Sequence, residues 1–132
     1  MQHNFGQKDA SFQAAGQFPG IEKLVHRFYD LMETLPEAQK IRDMHPKDLT
    51  TSREKLTHFL CLWLGGPEVY REKFGPTNIP RAHAHLKIGI AERDAWLLCM
   101  KKAAADQAYP KQFQTYLLTQ LSVPAERVRN SD

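Results

Sequence analysis

Cysteine is scarce in this chain, and so is any excess of charge of one sign. The two cysteines, Cys61 and Cys99, stand singly inside apolar stretches of helical period, where reduced, buried thiols are expected rather than a disulfide. No Cys-x-x-Cys-His motif and no zinc-type cysteine pair occurs, which excludes covalent haem attachment and a cysteine-based zinc site. The net charge is only +3, with Lys and Arg scattered, so neither nucleic acid nor a membrane surface is an expected partner. No apolar run reaches membrane-spanning length, and the start, MQHNFGQKDA, lacks the apolar core of a signal peptide; a cytoplasmic location is therefore expected. No phosphate-cradling glycine loop occurs, and no Ser/His/Asp set can be assigned to nucleophilic catalysis.

What the chain does have is helical period. Its 132 residues, 42% hydrophobic and 25% charged, suit a single globular domain over 1–132, with a polar tail, about 125–132, expected to fray. Asp9 predicts the cap of a short helix through about Ala15, followed by a break at Gly16 and Gly20 around Pro19. Ile21, Leu24, Val25, Phe28, Met32 and Leu35 then recur at helical spacing, with Tyr29 at the edge of their stripe. Pro36 opens a further turn through about Ile41, and Pro46 pushes His45 out of the helical region. Thr51 with Glu54 reads as a capping box. The helix behind it carries Ser52, Leu56, Phe59, Leu60 and Trp63 on one face and ends at Gly65-Gly66 followed by Pro67. Residues 67–82 read as a long loop with at most a turn or two of helix, a kind of segment that is often functional. A helix is predicted from about Leu86, with Ile88, Ala91, Ala95, Trp96, Cys99 and Ala103 on one broad face. Pro110 opens a last helix with Phe113, Tyr116, Leu117, Gln120 and Leu121 on one face, and Pro124 ends it. Strands, repeats and low-complexity segments are absent, so the fold class is all-α.

The stretch "IPRAHAHLKIGIAERDAW" carries the first chemical candidates, His83 and His85. On a helix two imidazoles two residues apart point about 200° apart and cannot share a small metal. In an extended segment they face the same way, but no Asp, Glu or Cys stands nearby as a third ligand, so zinc hydrolysis has little support. Taken alone, each histidine reads as a solvated side chain, and Tyr29 and Trp96 as core aromatics. Haem differs in needing one protein ligand: its iron takes four porphyrin nitrogens and one imidazole and leaves a sixth position for a small molecule.

Four segments carry a family resemblance. "SFQAAG" resembles a first helix, "LVHRFYDLMETLPEA" a second with its Phe-Tyr pair, "WLGGP" the end of a distal helix, and "RAHAHLKIGIAERDAWLLCM" a proximal-ligand loop with its following helix. Together they are similar to the group II truncated haemoglobins, two-over-two helical globins, over roughly residues 9–122. The resemblance implies a two-over-two helical sandwich around haem b (iron protoporphyrin IX), with His83 as the iron ligand and His85 as a solvated or supporting histidine. It places Tyr29 and Trp96 as distal hydrogen-bond donors and His45 at the corner over the haem. Ser52 falls where many globins place a distal histidine, with Leu56, Phe59 and Leu60 on the distal helix face. Leu86, Tyr70, Arg81 and Lys87 are the remaining haem-contact candidates, the last three for the propionates. The chain departs from the family pattern in having Ala15-Gly16 for a glycine pair, and Ala82 before His83 with Arg81 one step earlier.

The implied function is reversible binding of diatomic gases, namely oxygen, nitric oxide and carbon monoxide, at ferrous iron, with slow release. One hydrogen bond to a charged acceptor is worth roughly 1.5–3 kcal/mol, about tenfold or more in release rate. Slow release suits sensing, scavenging or redox chemistry better than delivery. The alternative is a redox enzyme on the same haem, a nitric oxide dioxygenase or peroxidase-like activity, drawing electrons from an external reductase.

Overall fold

A computed structural model describes Phe5 and residues 7–75 and 86–130. The described residues form helices α1 (Ala10–Ala14), α2 (Gln17–Thr34), α3 (Gln39–Asp43), α4 (Thr50–Trp63), α5 (Val69–Phe74), α6 (Ile90–Ala105) and α7 (Lys111–Val128), with a 3-10 turn at Pro36–Ala38. No strand occurs among them. The long helices pack as two pairs, α2 with α4 and α6 with α7, and α2 lies against α6 to join the pairs. Two helices over two is the arrangement that the sequence resemblance implies. No helix is long and apolar enough to cross a membrane among the described residues.

The α2 stripe buries as its spacing requires: Ile21, Leu24, Val25, Phe28 and Met32 are all enclosed, and Tyr29 is buried with them. Across the core, α7 contributes Phe113, Leu117 and Leu121, and α6 contributes Cys99, Met100 and Ala103. Both cysteines are free and buried. Burial pushes each thiol up to about 11, with Glu37 adding to the effect at Cys99.

Several boundaries differ from the sequence expectation, each for a local reason. The predicted break around Pro19 lies inside α2, because a proline in a first turn forfeits no helical hydrogen bond. The turn itself is made at Gly16, in the left-handed region at φ 91. Gly20 is needed for close approach instead, since a Cβ there would meet the Ala15 carbonyl oxygen at 2.1 Å. Asp9 precedes α1, but its carboxylate accepts from Gln13 Nε2 at 3.1 Å rather than from the helix backbone. The Thr51–Glu54 box is absent. Asp48 Oδ1 accepts from the Thr50 backbone N–H at 2.9 Å and its hydroxyl at 2.7 Å, while Glu54 receives Lys73 Nζ at 2.8 Å.

The C-terminal half carries the larger corrections. Helix α6 starts at Ile90, not near Leu86, and Ala91 is exposed whereas Glu92 is buried. Glu92 Oε1 accepts the Gly89 N–H at 2.8 Å, capping the helix start, and Lys40 Nζ lies 3.4 Å away. The Gly89 hydrogen bond, reinforced by Lys40, holds the Glu92 carboxyl below its ordinary range. Pro124 does not end α7, which continues to Val128 with Pro124 and Ala125 buried. Beyond it, Asn130 donates its backbone N–H to Ile88 O at 2.8 Å. Asn130 Oδ1 accepts the Ile88 N–H at 2.8 Å, and Nδ2 donates to Leu86 O at 2.6 Å. Glu126 binds both Arg93 and Arg129, and those two guanidiniums pull its carboxyl down to about 2. Residues 125–130, expected as a polar tail, are thus tied to the start of α6.

Candidate functional site

The site grows from one buried phenol. Tyr29 sits on α2 next to fully buried Phe28, whose ring meets it edge-on at 4.9 Å. Its hydroxyl donates to the backbone carbonyl of Ser52 at 3.4 Å, a long contact at the weak end for an O–H donor. Burial pushes the phenol well above its ordinary range, and the nearby Arg53 guanidinium offsets this in part. Tyr29 therefore stays protonated and keeps its proton to donate.

Two of the sequence candidates, His45 and Ser52, touch that phenol, and a third, Trp96, packs on its neighbour Phe28. His45 meets the Tyr29 ring edge-on at 5.7 Å, and its Nδ1 lies 2.7 Å from the Ile41 carbonyl. A carbonyl only accepts, so Nδ1 carries the hydrogen, and Nε2 of the neutral ring is an acceptor. Trp96, on α6 and half-buried, packs against Phe28 at 5.0 Å. Its indole N–H has no protein acceptor among the described residues. Ser52 enters through its carbonyl at the Tyr29 hydroxyl, where the sequence points to its side chain.

The apolar candidates divide by exposure. Leu60 is fully buried in the core, whereas Leu56 and Phe59 on the same helix are half-buried, together with Trp63. Phe59 stacks obliquely on Trp63 at 5.6 Å and meets Tyr70 of α5 at 6.4 Å. Leu86 is half-buried and Lys87 exposed. His83, Arg81 and His85 lie outside the described residues. Among the described residues no group of three or more His, Cys, Asp or Glu side chains could hold a metal ion, so iron held by these elements needs most of its ligands from elsewhere.

The residues present fit haem. Leu56, Phe59, Trp63 and Trp96 are large apolar groups packed on the core yet left partly open. Beside them lie an indole N–H with no protein acceptor among the described residues and a phenol with one long hydrogen bond. Such groups suit a flat apolar macrocycle that brings its own acceptor.

Two residues that build this arrangement escape sequence reasoning. Phe28 reads as core and as half of the Phe-Tyr pair, with no site role of its own, yet its ring touches both Tyr29 and Trp96 and so sets their relation. Arg53 does not stand out at all. Its guanidinium donates to the His26 carbonyl at 3.0 Å and to Asp30 Oδ1 at 3.0 Å, lies 3.5 Å from Glu33 Oε1, and covers the Tyr29 ring at 5.5 Å. It pins the first turn of α4, and with it the Ser52 carbonyl, to α2. The only available signal is an arginine beside Ser52 and acids one turn apart at Asp30 and Glu33, which fits any surface helix equally well.

Known proteins share this architecture. The family model described as bacterial-like globin matches residues 10–130. The group 2 truncated hemoglobin YjbI of Bacillus subtilis is 30% identical over 122 residues, 92% of this chain and 89% of that protein. The group II 2-on-2 hemoglobin of Agrobacterium tumefaciens superposes with a TM-score of 0.87 at 37% identity, covering 92% of this chain and 95% of that one. The truncated oxygen-avid haemoglobin of Bacillus subtilis gives a TM-score of 0.81 at 30% identity, over 91% and 98% of the two chains.

Proposed function

This chain belongs to the bacterial-like globins, in their group II truncated, two-over-two branch, and from that premise we propose that it holds haem b through His83 and binds oxygen with slow release. Family membership implies haem as cofactor and a diatomic gas as ligand. Retention of the ligand is supported by one observation: buried Tyr29 and half-buried Trp96 both pack on the Phe28 ring, and neither donor is fully used by the described residues. The oxygen avidity of the Bacillus subtilis relative supports the same reading.

When bound, haem iron supplies an open position for a diatomic ligand. Tyr29 then has a choice of acceptor. Its hydroxyl can turn from the Ser52 carbonyl to the ligand, exchanging a 3.4 Å contact for a stronger, charge-assisted one. Trp96 offers its indole N–H without giving up a partner among the described residues. His45, with Nδ1 committed to Ile41, accepts at Nε2 when neutral and donates there only when protonated. Half-buried Leu56, Phe59 and Leu86 would wall the macrocycle, and Tyr70, Arg81 and Lys87 are the propionate candidates.

The test is spectroscopic. Wild-type protein and His85→Ala should take up haem and show a Soret band, and His83→Ala should lose stable haem binding. If His83→Ala keeps haem and His85→Ala loses it, the ligand assignment is wrong. Adding nitric oxide to the oxygenated holoprotein separates binding from turnover. Consumption that is restored again and again by an external reductant, in place of slow release alone, would favour a dioxygenase role.

A further inference from the structure

The outward face of α6 carries a short stripe that the oxygen chemistry does not use. Leu97 and Leu98, flanked by Asp94 and Lys101 and bordered by Leu118 of α7, line an open groove of about 310 Å³. The leucines are half-buried and the two charged residues exposed. Asp94, Leu97 or Leu98, and Lys101 follow three-four-seven spacing, so all lie along one side of the helix, with the two charges about 10.5 Å apart along its axis. Asp94 pairs with Arg93 of its own helix at 3.1 Å but keeps 61% of its side chain exposed. Lys101 has no ion-pair partner among the described residues.

This stripe is its own complement. A two-fold axis passing between Leu97 and Leu98, perpendicular to the helix, reverses the order acid–leucine–leucine–base. In an antiparallel pair Asp94 then faces Lys101 of a second copy, Leu97 faces the second copy's Leu98, and each contact occurs twice. We propose that this α6 face is a self-association surface that pairs two copies of the chain antiparallel across Leu97 and Leu98. Charge complementarity selects this occupant, because a stripe bearing one acid and one base at equal distances from its centre matches itself about a two-fold axis, the symmetry of most homodimers. Salt weakens the two exposed ion pairs, and a contact centred on four residues with a flanking leucine is smaller than the roughly 1,200 Å² of a stable interface. The association is therefore weak and concentration-dependent.

Sedimentation of the full chain at low salt tests this, with Asp94→Lys and Lys101→Asp as charge reversals. Wild-type mass should rise with concentration from 15.2 kDa toward twice that value. Each reversal alone sets like charges opposite one another at both ends of the pair, and should weaken association by roughly tenfold. An equimolar mixture of the two variants sets a stripe with a base at both ends against a stripe with an acid at both ends. Opposite charges then meet at each end again, and association should recover as a mixed pair. That recovery separates the interface from loss of the Arg93–Asp94 pair, which mixing cannot restore within a chain, and shows that both variants are folded. A wild-type chain that stays monomeric at every concentration overturns the proposal. So do single reversals that associate as well as wild type, or a mixture that associates no better than its components.

Discussion

Trp96 has an indole N–H with no protein acceptor among the described residues, and Tyr29 has a hydroxyl held only by a 3.4 Å contact to a carbonyl. Replacing Trp96 with Phe keeps the ring that packs on Phe28 and removes the donor. Oxygen release measured by stopped flow should then speed up by about tenfold or more, the worth of one hydrogen bond to a charged acceptor. Release at the wild-type rate would return Trp96 to packing alone. His45 carries a further consequence. With Nδ1 on the Ile41 carbonyl, only the protonated ring donates from Nε2, so a ligand with negative character is held better as pH falls. Release should therefore slow as the solution is acidified from about pH 8 to about pH 5. In His45→Phe the rate should be flat across that window. A His45→Phe profile that still bends like wild type would leave His45 as a lid on Tyr29 and no more.

At the scale of elements, two ties decide where the site residues stand. Arg53 binds α4 to α2 through His26, Asp30 and Glu33, fixing the carbonyl that faces Tyr29. Asn130 binds the end of the chain to Leu86 and Ile88 through three hydrogen bonds. Asn130→Ala removes the two side-chain bonds, a loss of about 1–3 kcal/mol at 0.5–1.5 kcal/mol each. The Ile88 amide should exchange with solvent roughly tenfold faster, while amides near Cys99 and Ala103, deep in α6, keep their protection. Equal exchange at Ile88 in both proteins would mean that the backbone contact alone holds this segment.

At the scale of the whole molecule, the open apolar surface on α4 and α6 has a thermodynamic reading. A group that fills it binds the folded chain and not the unfolded one, so haem at a hundredfold excess over its dissociation constant adds about 2.7 kcal/mol of stability. Thermal unfolding should therefore occur at a higher temperature in the holoprotein than after haem extraction, and His83→Ala should show little difference between the two preparations. A holoprotein that unfolds at the same temperature as the extracted chain would contradict a site built around haem.

Helix content and the buried stripe of α2 follow from the sequence alone, because Ile21, Leu24, Val25, Phe28 and Met32 have nowhere to go but one face of a helix. The candidates Tyr29, His45, Ser52 and Trp96 come from the match of distant parts of the chain to one family pattern, not from local period. What local sequence does not decide are the ends of elements and the partners of polar groups. Pro19 and Pro124 both read as breaks, yet one falls in a first turn and the other is buried within α7. Residues 86–88 carry a helical pattern but pair with Asn130, more than forty residues later, instead of continuing α6. Ser52 is a candidate for its hydroxyl and contributes its carbonyl, and the Nδ1 hydrogen of His45 is assigned by a carbonyl one turn away. Periodicity reports which side of an element avoids water. Only packing brings Arg53 over Tyr29 and Trp96 onto Phe28, because those contacts join helices that the chain order keeps apart.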